Sequence, residues 1–107
     1  MNQLALAMPE SRERSMTAAL EHAGEEWKNE AYTFLIGYAR ANPLFCGENV
    51  SDAHIAAGLR QPPDLRAWGG LYRKAIHERV IAHFDNNGRS KRRASPCPRY
   101  RSLVLAA

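Results

Sequence analysis

Leu20, Ala23, Trp27, Ala31, Phe34, Leu35 and Tyr38 recur at steps of three and four residues, the spacing that gathers side chains onto one stripe of an α-helix. So long a stripe needs a core to cover it, and this constrains the fold more than any other feature of the chain. The helical pattern begins at about Ser15. Gly24 either divides it into two helices or weakens one long helix, and both readings stay open. Asn42-Pro43 ends it, because the residue before a proline is pushed out of the helical region.

Beyond this stop, Leu44-Phe45-Cys46 reads as a short extended piece with a turn at Gly47. A second helix is expected from Ser51, which suits an N-cap. Asp52 adds negative charge to its first turn, and Val50 is placed to staple against Ile55. Gly58 and Pro62-Pro63 keep it to about two turns. Asp64 then caps a third helix, expected over 64–80, with Leu65, Trp68, Tyr72, Ala75 and Ile76 as its apolar side. Ile81 to Phe84 reads as a strand, Asp85-Asn86-Asn87-Gly88 as a turn, and Tyr100 to Leu105 as a second strand. The predicted order is long helix, short strand, short helix, helix, then a hairpin with a basic tip. The expected class is mainly α with a small β-hairpin (α+β), as a winged helix-turn-helix with a three-helix core and a C-terminal wing. Residues 1–14 are expected to form a flexible arm and 15–107 a single domain.

A chain of 107 residues holds one modest core and not two. Its 45% hydrophobic and 24% charged content fits a folded domain rather than a disordered one. No apolar run approaches the roughly 20 residues needed to span a bilayer. Near the start, the basic residues follow the apolar patch Leu4 to Met8 and are mixed with Glu10 and Glu13, the wrong order for a secretory signal. A cytoplasmic location is expected, with Cys46 and Cys97 as reduced thiols.

The net charge of +4 conceals a division. From Met1 to Asp64, Arg12, Arg14, Lys28, Arg40 and Arg60 face nine acidic residues, a net −4. From Leu65 onward ten basic residues face only Glu78 and Asp85, a net +8. One electropositive side raises the local concentration of a polyanion and speeds encounter with it. Charge alone does not separate DNA from RNA or an anionic membrane.

The stretch from Val50 to Leu103 resembles small winged-helix proteins commonly encoded by bacteriophages and prophages. The residues that carry the likeness are Val50-Ser51-Asp52 opening a short helix, Arg66-Ala67-Trp68-Gly69 with Tyr72-Arg73-Lys74-Ala75 in the next, then Val80-Ile81, and Ser95-Pro96-Cys97-Pro98-Arg99-Tyr100-Arg101-Ser102-Leu103. They cover about half the chain, and no single element is diagnostic. What the resemblance implies is a DNA-binding-like fold. The expected role is that of a phage-type regulator or replication accessory factor, nucleoid-associated in a bacterial host.

In a helix-turn-helix the second helix of the pair enters the major groove. Ala67, Gly70, Lys74 and His77, flanked by Arg66 and Arg73, are expected to face outward from the third helix. Arg66 and Arg73 are the candidates for reading bases, since a guanidinium grips guanine through two hydrogen bonds. Lys74 and His77 suit phosphates, unless this is only a solvated face, and Gly69-Gly70 is equally a site of close helix packing. Arg89, Lys91, Arg92, Arg93, Arg99 and Arg101 form a basic tract with no acidic residue among them. It is expected to lie along the backbone as a wing over 85–101 or to place an arginine in the minor groove, or else to be a disordered solubilising tract. Ser51 is either a phosphate contact at a helix N-terminus or a plain cap. Trp27, Phe34 and Trp68 belong in the core, whereas Tyr100 is the aromatic expected outside.

Zinc is not expected, because the histidines and cysteines contain no pair at zinc-finger spacing. Phosphate-cradling, nucleophile-elbow and HExxH motifs are missing from the sequence, and the basic half has too few carboxylates for a metal-dependent nuclease. The protein is expected not to be an enzyme and to need no cofactor, no metal and no membrane. Double-stranded DNA is the expected partner, with a homodimer through the N-terminal helix. The alternatives are a protein-interaction module with the same fold and a binder of structured RNA.

Overall fold

The computed structural model describes residues 14–89 and 96–106, and the chain is a mixed α+β structure with a small antiparallel sheet. Helix α1 covers residues 14–23, and α2 covers Glu25–Ala41. Gly24 separates them with a φ of 90°, a left-handed value that side chains other than glycine resist. Of the two readings of Gly24, division into two helices holds. Asn42 leaves α2 in extended conformation, its side-chain Nδ2 donating back to the Tyr38 carbonyl at 2.9 Å. Residues 1–13 of the expected arm lie outside the described residues, and Arg14 is already helical.

Strand β1 is Leu44–Cys46 and α3 is Gly47–Ala56. This helix starts a turn earlier than expected. The Asn49 side chain accepts the Cys46 amide at 2.8 Å, so Cys46 is the N-cap, with the Asn49 backbone facing its sulfur in return. Ser51 therefore lies within the helix, its hydroxyl donating to the Glu48 carbonyl at 3.1 Å. Nor does Val50 staple Ile55: Val50 is buried in the core and Ile55 is exposed.

Helix α4, Arg66–His77, is shorter at both ends than the expected 64–80. Asp64 serves its start, accepting the Arg66 amide at 3.0 Å. Arg79, at φ 61°, closes its end and lets the Val80 amide reach the Ala75 carbonyl at 2.8 Å. Strands β2, Ile81–Arg89, and β3, Pro96–Ser102, are antiparallel, and the sheet order is β1-β3-β2. Asp85 to Gly88 is strand rather than turn. Two register shifts, between His83 and Asp85 and between Asp85 and Gly88, absorb the extra residues as bulges. The second strand starts before Tyr100 and stops at Ser102, where the Ser102 hydroxyl donates to the Ala39 carbonyl at 2.6 Å.

The core joins Ala19 of α1, Trp27, Ala31, Leu35 and Ala39 of α2, Phe45, Val50, Trp68, Leu71, Tyr72 and Ala75 of α4, Ile81 and Tyr100. Tyr100, expected outside, is only 8% exposed and packs against Phe45, Tyr72 and His83. Trp27 and Trp68 are buried, and Phe34 packs against the core, as expected.

His54 is fully buried among the rings of Trp27, Phe34 and Trp68, with centroids 6.5, 5.1 and 5.1 Å away. Its Nδ1 lies 3.3 Å from the Gln61 side-chain amide. Burial holds this imidazole below its ordinary value, with the charge of Glu30 acting in the opposite direction. The unfolded chain therefore takes up a proton near pH ~6.5 that the folded chain refuses, and stability falls as pH drops below that point. Urea midpoints are expected to be lower at pH 5.5 than at pH 7.5, and His54→Leu is expected to flatten the difference. An equal slope in both proteins would assign it elsewhere.

Candidate nucleic-acid interface

At roughly 100° per residue, Arg66, Arg73 and His77 fall within an arc of about 40° on α4, and all three are exposed. Beside them runs a second, apolar line: Leu65 and Ile76, 65% and 38% exposed, with the half-buried Gly69 between. The outward face of α4 is thus turned from the expected one. Ala67 and Gly70, expected to face a ligand, are buried, while Leu65 and Ile76, expected in the core, are not.

The cause lies in α1. A β-carbon on Gly70 would stand 2.9 Å from the Met16 carbonyl and 3.0 Å from the Leu20 side chain, and one on Gly69 would strike the Met16 sulfur. The small residues on α4 admit another helix of the same domain, so the close-packing reading of Gly69-Gly70 is the right one. Leu71, which the expected apolar side omitted, is fully buried.

Each basic side chain meets its own surroundings. The Arg66 guanidinium holds the Asp64 carboxylate through Nε at 3.1 Å and Nη2 at 2.7 Å. The Arg66 side chain stays 63% exposed. This hydrogen bond holds the Asp64 carboxyl below its usual range and raises the guanidinium. It orients Arg66 along the start of α4 without enclosing it. Lys74 is exposed but leans toward α2, its Nζ 4.8 Å from the centre of the Tyr32 ring. It therefore stands apart from the line of Arg66, Arg73 and His77. The Tyr32 hydroxyl donates to Glu78 at 2.5 Å, and burial with this bond raises its titration well above the ordinary range.

On the sheet, Tyr100 points into the core, so alternation along β3 sends Arg99 and Arg101 to the opposite face. Arg101 is exposed. Arg99 is held by Asp85 through two hydrogen bonds, Nε at 2.8 Å and Nη2 at 2.6 Å, and stacks 5.3 Å above the Phe84 ring. The pair pulls the Asp85 carboxyl down to about 2. Arg99 thus clamps the bulge of β2, a structural task that competes with the expected phosphate contact. Arg89 is exposed at the end of β2, opposite Pro96. Lys91, Arg92 and Arg93 lie outside the described residues.

Ser51, bonded to the Glu48 carbonyl in mid-helix, has no N-terminal amides to share with a phosphate. One basic residue was missed from the sequence: Arg79, exposed in the short link between α4 and β2. Its positive φ is rare for a side-chain-bearing residue, and the sequence carries no signal for it beyond its place after the helix. The acidic residues of α2 are partly engaged locally, Glu25 with Lys28 at 2.6 Å and Glu26 with Arg60 at 3.1 Å.

Among the described residues, no group of three or more His, Cys, Asp or Glu is placed to hold a metal ion, and no helix is long and apolar enough to cross a membrane. No family model, no curated protein and no solved structure matches the chain.

Proposed function

We propose that this chain is a winged-helix DNA-binding protein of the small phage type, a regulator or replication accessory factor acting in the cytoplasm. The observation that carries the reading is that Arg66, Arg73 and His77 are exposed on α4, the second helix of the α3–α4 pair, to either side of the point where α1 packs on Gly69 and Gly70. The order of elements and the β1-β3-β2 sheet support it, since a short strand before the helix pair and a hairpin after it are what a wing requires.

In this reading α4 enters the major groove. Arg66 and Arg73 bond guanine edges, and the neighbouring Leu65 and Ile76 suit thymine methyl groups. His77 and Lys74, toward the end of the helix, meet phosphates. Arg89, Lys91, Arg92, Arg93 and Arg101 follow the backbone as the wing.

The same apolar line also favours a second reading, a protein partner seated on α4, because Leu65 and Ile76 expose more apolar surface than phosphate contact needs.

Titration of duplex DNA at two salt concentrations separates the two. With four to six phosphates neutralised, affinity is expected to fall about 10²- to 10³-fold between 50 and 200 mM salt. Replacing Arg89, Lys91, Arg92 and Arg93 by alanine is expected to remove most of that dependence. Absence of binding at low salt would leave the protein-partner reading, and tighter binding to hairpin RNA would turn the assignment to RNA.

A further inference from the structure

We propose that Cys46 and Cys97, the chain's entire cysteine content, form a dithiol site that peroxide-class oxidants close into an intramolecular disulfide. Half the chain separates them in sequence, yet the sheet brings them together. Cys46 ends β1 opposite Arg99 of β3, and Cys97 lies two residues from Arg99 on the same face of that strand. On the far side, Gly88 of β2 pairs with Cys97.

Gly88 makes the room. A β-carbon there would strike the Cys46 sulfur and stand 2.9 Å from the Cys97 carbonyl, so the Cys46 side chain reaches across β3 into space that any other residue at 88 would fill. Cys46 acts on the Cys97 thiol, and both residues are only half-buried, so a small oxidant has access. Arg99, its guanidinium held by Asp85, lies opposite Cys46 in the register and interacts with it electrostatically. Burial, then the bond to Cys46, raises the Cys97 thiol, which suits it to keep its proton until the second step.

The chemistry balances in two steps. A thiolate sulfur attacks a peroxide oxygen; an S–O bond forms, the O–O bond breaks and one water leaves after protonation. The second sulfur then attacks this sulfenic acid; the S–S bond forms, the S–O bond breaks and a second water leaves. Two electrons pass from the two sulfurs to the peroxide, and a dithiol reductant returns the pair to thiols. The link would tie β1 to β3, whether or not the chain binds nucleic acid.

The test treats the reduced full-length protein with equimolar hydrogen peroxide, then measures intact mass and maps peptides without reduction. The expected result is a monomer lighter by two hydrogens, with Cys46 and Cys97 peptides joined, and full reversal by dithiothreitol. Cys97→Ser is expected to stop at a sulfenic acid on Cys46 that dimedone traps. Two thiols still open to alkylation after oxidation would overturn the proposal. So would sulfinic acid without a link, or disulfides only between molecules.

Discussion

Trp68→Ala is expected to cost about 3–5 kcal/mol of stability, the range for removing a buried tryptophan from a packed core. Its ring meets Trp27 edge-on at 5.2 Å and His54 at 5.1 Å, and stacks 6.0 Å from Tyr72. Losing it opens a cavity where α2, α3 and α4 converge. A domain of this size has about 5–15 kcal/mol in total, so the variant should unfold at a markedly lower urea concentration than wild type.

Leu65→Ala is the paired control, because Leu65 is mostly exposed at the start of the same helix. It is expected to change stability by less than about 0.5 kcal/mol. Equal losses from the two changes would mean that α4 is rotated about its axis from the arrangement described.

That pair marks where sequence and structure part. The α2 stripe was legible because Trp27, Ala31 and Leu35 are spaced for one face and Asn42-Pro43 stops the helix cleanly. The extended piece at Leu44 was legible from its position, and a hairpin after α4 from its apolar start.

The α4 face was not, because side-chain size was taken as the guide to burial. Gly70 is buried for being small, since only a small residue lets α1 approach so closely, and Ala67 belongs to the core. The start of α3 was obscured because its cap is a cysteine partnered by Asn49, rather than the usual serine or aspartate. Asp85-Asn86-Asn87-Gly88 has turn chemistry, but the ion pair from Asp85 to Arg99, across the strands, holds it in the sheet. Of the candidate contacts, Arg66, Arg73 and His77 keep a common face, whereas Ser51 and Arg99 are occupied within the fold.

Replacing Arg66 and Arg73 together by alanine is the change expected to weaken duplex binding most, by about 100-fold at low salt, because two guanidinium contacts to base edges are lost at once. Arg73→Ala alone is expected to lower discrimination between sequences more than Lys91→Ala, which should weaken binding to all sequences alike. Both arginines are exposed, so thermal unfolding of the double variant should stay close to wild type and show that the loss is one of contact rather than of fold. Uniform weakening across sequences by both single changes would remove α4 from the reading role.

The most direct measurement is a map of backbone amide chemical shifts in isotope-labelled protein as a short duplex is added at low salt. The account predicts that the largest changes fall on Arg66, Arg73 and His77 of α4 and on Arg89 at the end of β2. Changes centred instead on Glu25 and Glu26 of α2, or no changes at any DNA concentration, would contradict it.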